Sequence, residues 1–287
     1  MLSLNLPFGQ KTDYKIGIAL SGGGARGFAH VGALQALEDM GVKPDLVCGV
    51  SAGSVVAALY ASGMRPAQMI EIFSQSNFLD FTELSLGSGG LFKLTGFRKF
   101  LQKNIPYKNI EDLPLKTVIC ATNLDKCEKV AFEEGELSER ICASCCMPVI
   151  FKPVRIDGTY YVDGGVLHNL PAWAVRDRCK YLIGINCSPM PHNKYKQSLA
   201  SIAMRTYTMM AKSNVNADMA LCDLAVPIEN IANYQVFDLG KIRQVYSSGY
   251  LAMMDALVAN GFRRPEEIQK KEPIFKKIKD RITLTFK

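Results

Sequence analysis

Gly49-Val50-Ser51-Ala52-Gly53 sets a serine between the apolar run Leu46-Val47-Cys48 and the small-residue run Val55-Val56-Ala57-Ala58-Leu59-Tyr60. That is strand, sharp turn and helix with a hydroxyl at the apex. A serine on such a turn is held in a strained backbone and projects its hydroxyl away from both flanking elements. Gly49 and Gly53 keep Cβ atoms out of the junction where strand and helix crowd together. A glycine-punctuated βα turn would carry the same letters, so the chemistry depends on what else the chain supplies. A serine hydroxyl needs a base within hydrogen-bond reach. The oxyanion of an acyl-transfer intermediate needs preorganised donors.

The donors are found one strand earlier. Ser21-Gly22-Gly23-Gly24-Ala25-Arg26-Gly27 follows the strand Lys15–Leu20 and opens a helix predicted over Phe28–Met40. If the two strands are parallel neighbours, both loops lie at one C-terminal sheet edge, where open α/β folds bind ligands. Successive glycines let the N–H groups of Gly22, Gly23 and Gly24 turn toward a common point, and the helix N-terminus adds partial positive charge. Arg26 could steady the loop or attract a phosphate. The loop, closed by Gly27, also satisfies the dinucleotide fingerprint. A Rossmann site wants an acidic residue ending the second strand; Asp45 precedes that strand and Ser51 stands at its end, which argues against a nucleotide.

For the base, the chain has three histidines. His30 falls in the first turns of the helix after the glycine loop, where packing is the ordinary role. His192 sits in a polar Pro-rich loop. His168 follows Asp163 by five residues, and Ser51…Asp163…His168 has the order of an α/β-hydrolase triad. Asp163 is itself a candidate base: it ends Tyr160-Tyr161-Val162 and precedes Gly164-Gly165, so another loop can approach it closely. An aspartate is a weak base at its ordinary pKa, and apolar surroundings raise it. A plain β-turn is the alternative for Asp-Gly-Gly.

The elements that position these residues read as an α/β fold. Strands are predicted at 15–20, 46–50, 116–122, 128–132, 181–186 and 224–228, the last a sheet edge because of Pro227. Val154–Asp163 reads as a hairpin about Asp157-Gly158. Helices are predicted at 28–40, after Ser51 to about 62, at 136–145, 199–219 and 242–258. Residues 66–112 read as helix and loop; their break Gly87-Ser88-Gly89-Gly90-Leu91-Phe92 fits a surface loop or a lid. Alternating βα units predict a parallel sheet with covering helices.

Composition sets outer bounds. At 48% hydrophobic and 21% charged residues the chain is a soluble globular type, with no apolar stretch long enough to span a bilayer. The start, Met1–Pro7, lacks a basic region followed by a long apolar core, so no secretory leader is expected. Nine cysteines, including adjacent Cys145-Cys146, do not form a disulfide framework and fit a reducing cytoplasm. Cys142-x-x-Cys145-Cys146 is half of a zinc pattern without the other half, so buried thiols are expected and no metal. Net charge is +7, and residues 263–287 hold nine Lys/Arg against four Asp/Glu. That tail reads as a solvated face, or as one attracted to anionic lipid at a membrane periphery. Its basic residues are not interleaved with stacking aromatics, so nucleic acid is not expected. Met204, Met209, Met210 and Met219, with Tyr207, share the 199–219 helix and read as core, or as a soft acyl-chain pocket.

Taken together, the G-G-G-x-R-G loop, the G-x-S-x-G elbow and the downstream D-G-G resemble the patatin-like phospholipases. Ala143–Pro148 resembles the family's A-S-x-x-x-P segment, and Gly164–Pro171 its D-G-G…N-x-P continuation. The resemblance covers about residues 14–228, leaving 229–287 as a helical, basic extension. It implies a three-layer α/β/α fold with a mainly parallel central sheet. It also implies a Ser–Asp dyad of Ser51 and Asp163 without histidine, oxyanion N–H groups from Gly22, Gly23 and Gly24, and support from Arg26. The substrate implied is a carboxylic ester of a lipid, cleaved through an acyl-enzyme without metal or cofactor. The other readings are a Ser-Asp-His esterase and a non-catalytic lipid- or nucleotide-binding module.

Overall fold

A computed structural model describes residues 13–74, 78–85, 89–190 and 195–263. Gly87 and Ser88 of the glycine break, His192, and the tail from residue 264 lie outside the described residues.

The elements run β1 (Tyr14–Leu20), α1 (Phe28–Asp39), β2 (Leu46–Val50), α2 (Ala52–Ala61), α3 (Pro66–Ser74), β3 (Glu83–Leu84), β4 (Phe92–Lys93) and α4 (Thr95–Asn104). They continue β5 (Lys116–Asn123), β6 (Glu128–Phe132), α5 (Leu137–Ser144), β7 (Val154–Ile156), β8 (Thr159–Asp163), β9 (Cys179–Asn186), α6 (Leu199–Met219), β10 (Leu224–Pro227) and α7 (Ile242–Ala259). The main sheet has the order β10-β9-β1-β2-β5-β8-β7, with β6 also on β5. From β10 to β5 every pairing is parallel, whereas β6 and β8 run antiparallel to β5 and β7 runs antiparallel to β8. β10 is an edge strand, as its proline requires. The Asp157-Gly158 turn has positive φ at both residues (48° and 86°), which suits the right-handed twist of the β7–β8 hairpin.

The parallel strands are near-continuous apolar runs because helices cover both faces. Alternation along each strand sorts its side chains between two cores. Ile18, Leu20, Val47, Ile119, Ile183 and Ile185 join one core with α1, α2 and α7. Ala19, Cys48, Val50, Val118, Cys120 and Leu182 join the other, with the short helical turn Pro171–Ala174 and Val215 of α6. The molecule is thus three-layered, with a mixed, mostly parallel sheet between helices. α7 lies along α1, and its Met253 and Leu257 are fully buried. Among the described residues no helix is long and apolar enough to cross a membrane.

β5 is the strand that matters for the site. β2 occupies one of its edges opposite Lys116 to Cys120, and β6 the other opposite Ile119 to Asn123. β8 pairs with Ala121 to Asn123, which are already paired to β6. It must therefore lie on the β2 edge, taking over where β2 stops. Val50 faces Cys120 and Asp163 faces Ala121. Two strands of opposite direction meet end to end, with Ser51 leaving one and Asp163 ending the other.

Candidate active site

Ser51 sits at φ 53°, ψ −125°, a conformation that side-chain-bearing residues rarely adopt. Neighbouring groups hold it there. Its N–H donates to Ser144 Oγ at 2.8 Å, and that hydroxyl donates to the Cys120 carbonyl at 2.6 Å. The Ser51 carbonyl receives the Ser54 hydroxyl at 2.7 Å. The elbow tolerates nothing larger than glycine at its flanks. A Cβ on Gly49 would lie 2.3 Å from the Gly53 carbonyl oxygen, and one on Gly53 would lie 2.2 Å from that of Leu20. Ser144, in the Ala-Ser-Cys-Cys-Met-Pro segment, was singled out only as part of a motif; its work is to tie the elbow to β5.

Asp163 is completely buried. Its Oδ1 accepts the Gly165 N–H at 2.9 Å. Oδ2 is buried without a hydrogen bond of standard geometry. The hydroxyls of Ser51 and Tyr207 nevertheless approach closely enough to favour the charged carboxylate. Burial outweighs these hydroxyls and pushes the carboxyl up to about 6. Tyr207 belongs to the site, although its sequence context placed it among core methionines. Its ring lies over the Asp-Gly-Gly turn, where a Cβ on Gly165 would come 2.3 Å from the phenol oxygen. Burial and the Asp163 charge push the phenol well above its ordinary range, so it stays a proton donor.

The glycine loop approaches from β1. Asn169, also buried, holds it: its carbonyl accepts the Gly22 N–H at 3.0 Å. This corrects one expectation. The Gly22 N–H is occupied by protein and is not free for an oxyanion. The N–H groups of Gly23 and Gly24 have no protein acceptor among the described residues. Arg26 is buried and clamps the loop, its guanidinium donating to the carbonyls of Gly23 (3.4 Å) and Pro189 (2.9 Å). Burial lowers its pKa from the usual arginine range. Gly27 packs against Ala52 at the start of α2.

The histidines are elsewhere. His30 is buried under the loop, with Nε2 2.8 Å from the Ser21 carbonyl and 3.1 Å from Cys187 Sγ. Burial lowers its pKa to about 4, so it is neutral. His168 pairs through Nδ1 with Asp218 of α6 at 2.7 Å, not with Asp163. The acid that a nucleotide site would need is also engaged elsewhere: Asp45 accepts the N–H groups of Lys15 and Ile16 at the opposite sheet edge. Cys142 and Cys146 are buried, and among the described residues no group of three or more His, Cys, Asp or Glu could hold a metal.

An apolar cavity of about 140 Å³ opens beside Ser51. Ala52, Val55, Val56 and Leu59 line it along α2, and Met69, Phe73, Phe81 and Phe97 lie among its other walls. The α6 methionines do not form it. Met204 borders a smaller recess by Tyr207, Met209 is exposed and Met219 packs on the second core. A hydroxyl, a buried carboxylate, two unengaged N–H groups and an apolar cavity can together carry out acyl transfer on an ester with a hydrocarbon chain.

A family model described as patatin-like phospholipase matches residues 18–176. An uncharacterized NTE family protein of Mycobacterium bovis is 31% identical over 159 residues, 55% of this chain and 44% of that protein. Patatin-like phospholipase domain-containing protein 6 of Mus musculus is 28% identical over 295 residues, 90% of this chain and 22% of that protein. Lysophospholipase NTE1 of Scheffersomyces stipitis is 30% identical over 182 residues, 60% of this chain and 12% of that protein. The chain thus spans less than half the length of these relatives. The family match takes in the glycine loop, the elbow and the Asp-Gly-Gly turn over more than half of the sequence, and the chain belongs to the patatin-like phospholipase family.

Proposed function

We propose that the protein is a serine lipid acyl hydrolase working through a Ser51–Asp163 dyad. The observation that carries this reading is the end-to-end meeting of β2 and β8 on β5, which sets a strained serine beside a buried carboxylate at the mouth of an apolar cavity. Ser51 Oγ attacks the ester carbonyl and its proton passes to Asp163. The Gly23 and Gly24 N–H groups receive the oxyanion. The leaving alcohol takes the proton from Asp163, and water activated by the same carboxylate then releases the fatty acid. The names of the relatives, phospholipase and lysophospholipase, support a lipid ester as substrate. Nine unpaired cysteines support a reducing, cytoplasmic setting. The direct test is labelling of Ser51 by a fluorophosphonate, with cleavage of a defined panel of phospholipids, lysophospholipids and acylglycerols. No labelling and no cleavage of any member would leave the binding-module reading.

The triad reading makes a different prediction. His168 Nδ1 is committed to Asp218, which burial raises above the usual carboxylate range despite that histidine. His168→Ala should therefore keep ester hydrolysis within about threefold of wild type while costing on the order of 1–3 kcal/mol of stability, because the buried Asp218 carboxyl loses a hydrogen-bond partner. Loss of all turnover in a folded His168→Ala protein would restore the triad.

The cavity sets chain length. Ser51 to Leu59 spans about 12 Å of helix at 1.5 Å per residue. Val55→Phe places a ring in the cavity one turn beyond the nucleophile. It should lower kcat/KM for long-chain esters roughly tenfold or more, the discrimination typical of an apolar pocket, and spare short-chain esters. Equal loss on both would mean that the acyl chain lies elsewhere.

A further inference from the structure

The N-terminal half of α6 and the loops beside the cavity leave unusually large apolar side chains in solvent. On α6, Leu199, Ile202 and Met209 fall with Thr206 on one helical face, and all are exposed, Leu199 by 81%. The inward side of the same helix, Ala200, Met204 and Tyr207, packs on the cluster Cys146, Met147, Ile150 and Phe151. That cluster also borders a second exposed group. Val149 falls in sequence between Met147 and Ile150 of the cluster and accepts the Leu91 N–H through its carbonyl, and Leu91 accepts the N–H of Ser85, next to Leu84. Leu84 is 71% exposed, and Leu91 and Val149 are both exposed. Val149 holds φ at 71°, a costly conformation for a β-branched residue. Met147 and Phe151, on either side of Val149, line the cavity at Ser51.

Charge surrounds these residues. Lys93, Lys152 and Lys196 are exposed and make no salt bridge among the described residues, and Arg205 lies over the Tyr195 ring. Glu83 beside Leu84 is the opposing charge. Apolar side chains standing out of the surface, with exposed lysines within three residues of Leu91, Val149 and Leu199 in the chain, match an anionic bilayer, whose acyl region takes the former and whose headgroups take the latter.

We infer that the α6 stripe and the Leu84–Leu91–Val149 rim form a docking surface for anionic membranes, bringing the cavity mouth to the lipid. This rests on the lipid hydrolase reading, but its test does not depend on turnover. In a Ser51→Ala background, the protein should cosediment with vesicles of phosphatidylcholine and phosphatidylserine. Adding Leu199→Glu and Ile202→Glu should weaken binding at least tenfold, the change expected from losing one buried leucine-sized side chain. Val149→Glu should act in the same direction. In proteins that retain Ser51, these changes should leave hydrolysis of a water-soluble short-chain ester within twofold and lower hydrolysis of vesicle lipid about tenfold. Equal vesicle binding by the variants, or equal binding to pure phosphatidylcholine, would overturn the inference. So would a wild-type dimer in size-exclusion chromatography that the α6 substitutions dissociate, because the face would then belong to a second copy. Absence of any ester hydrolysis by wild type would instead count against the enzyme reading and leave the binding result intact.

Discussion

Ser51→Ala should lower lipid ester hydrolysis roughly 10⁴-fold or more and abolish fluorophosphonate labelling, as removal of a serine nucleophile does elsewhere. Ser51→Gly should be as inactive, and its stability separates chemistry from folding. Ser51 holds φ 53°, ψ −125°, a conformation costing on the order of 1–3 kcal/mol for a residue with a Cβ. Glycine adopts it freely, at an unfolded-state entropy cost of about 0.5–1 kcal/mol. The glycine variant should therefore melt at or above the wild-type temperature. A Ser51→Gly protein that is inactive and clearly less stable would mean that the elbow is not strained. One that keeps turnover would remove Ser51 from the mechanism.

Asp163→Asn is expected to lower kcat/KM by about 10²–10⁴-fold, the usual contribution of a positioned general base. The wild-type pH profile carries the same signature. Burial places the Asp163 carboxyl at about 6, so kcat/KM should rise tenfold per pH unit below 6 and level above it. Stability runs the other way. The folded pKa lies above the unfolded value, so the native state holds its proton more tightly. Stability present at low pH is then lost as pH rises from about 4 through 6. A shift from 3.8 to about 6 corresponds to a ceiling of roughly 3 kcal/mol. Asp163→Asn should thus be more stable than wild type at pH 8 and lose that advantage below about pH 4. Thermal melts of both proteins across this range check the sign. An Asp163→Asn protein with no greater stability advantage over wild type at pH 8 than at pH 4, or a kcat/KM flat from pH 4 to 8, would show that Asp163 is not the titrating base.

The elbow was legible because its constraint is local. Gly49 and Gly53 record contacts with Leu20 and with each other that no Cβ could survive, and the flanking periodicities announce strand and helix. The Asp157-Gly158 hairpin was legible for the same reason, since its φ values suit that dipeptide. The role of Gly22 was not. Its N–H is taken by the Asn169 carbonyl, a contact between distant loops that glycine content cannot report. Tyr207 was hidden by its surroundings: one aromatic in a helix of methionines reads as packing, and what distinguishes it is the Asp-Gly-Gly turn beneath it. Of the two readings of the α6 methionines, core or soft pocket, the pocket rested on methionine's softness alone; the cavity beside Ser51 is walled instead by ordinary core residues of α2 and a group of phenylalanines. Helix ends differed by a residue or so, as at Asp39 rather than Met40, where fraying governs.

The shared edge of β5 makes the spacing of Ser51 and Asp163 sensitive to sites far from either residue. Sliding β8 by one residue would carry Asp163 about 3.3 Å along the ladder and turn its side chain to the other face. What fixes the alignment lies at the far end of the strand. The Asp157-Gly158 turn sets the hairpin, the Leu124 N–H donates to the Tyr160 carbonyl, and Asp125 accepts the Tyr160 N–H at 2.9 Å. These residues act as the gauge that spaces carboxylate from hydroxyl. A change there would shift Asp163 relative to Ser51, and with it the proposed dyad, in a protein that otherwise folds normally.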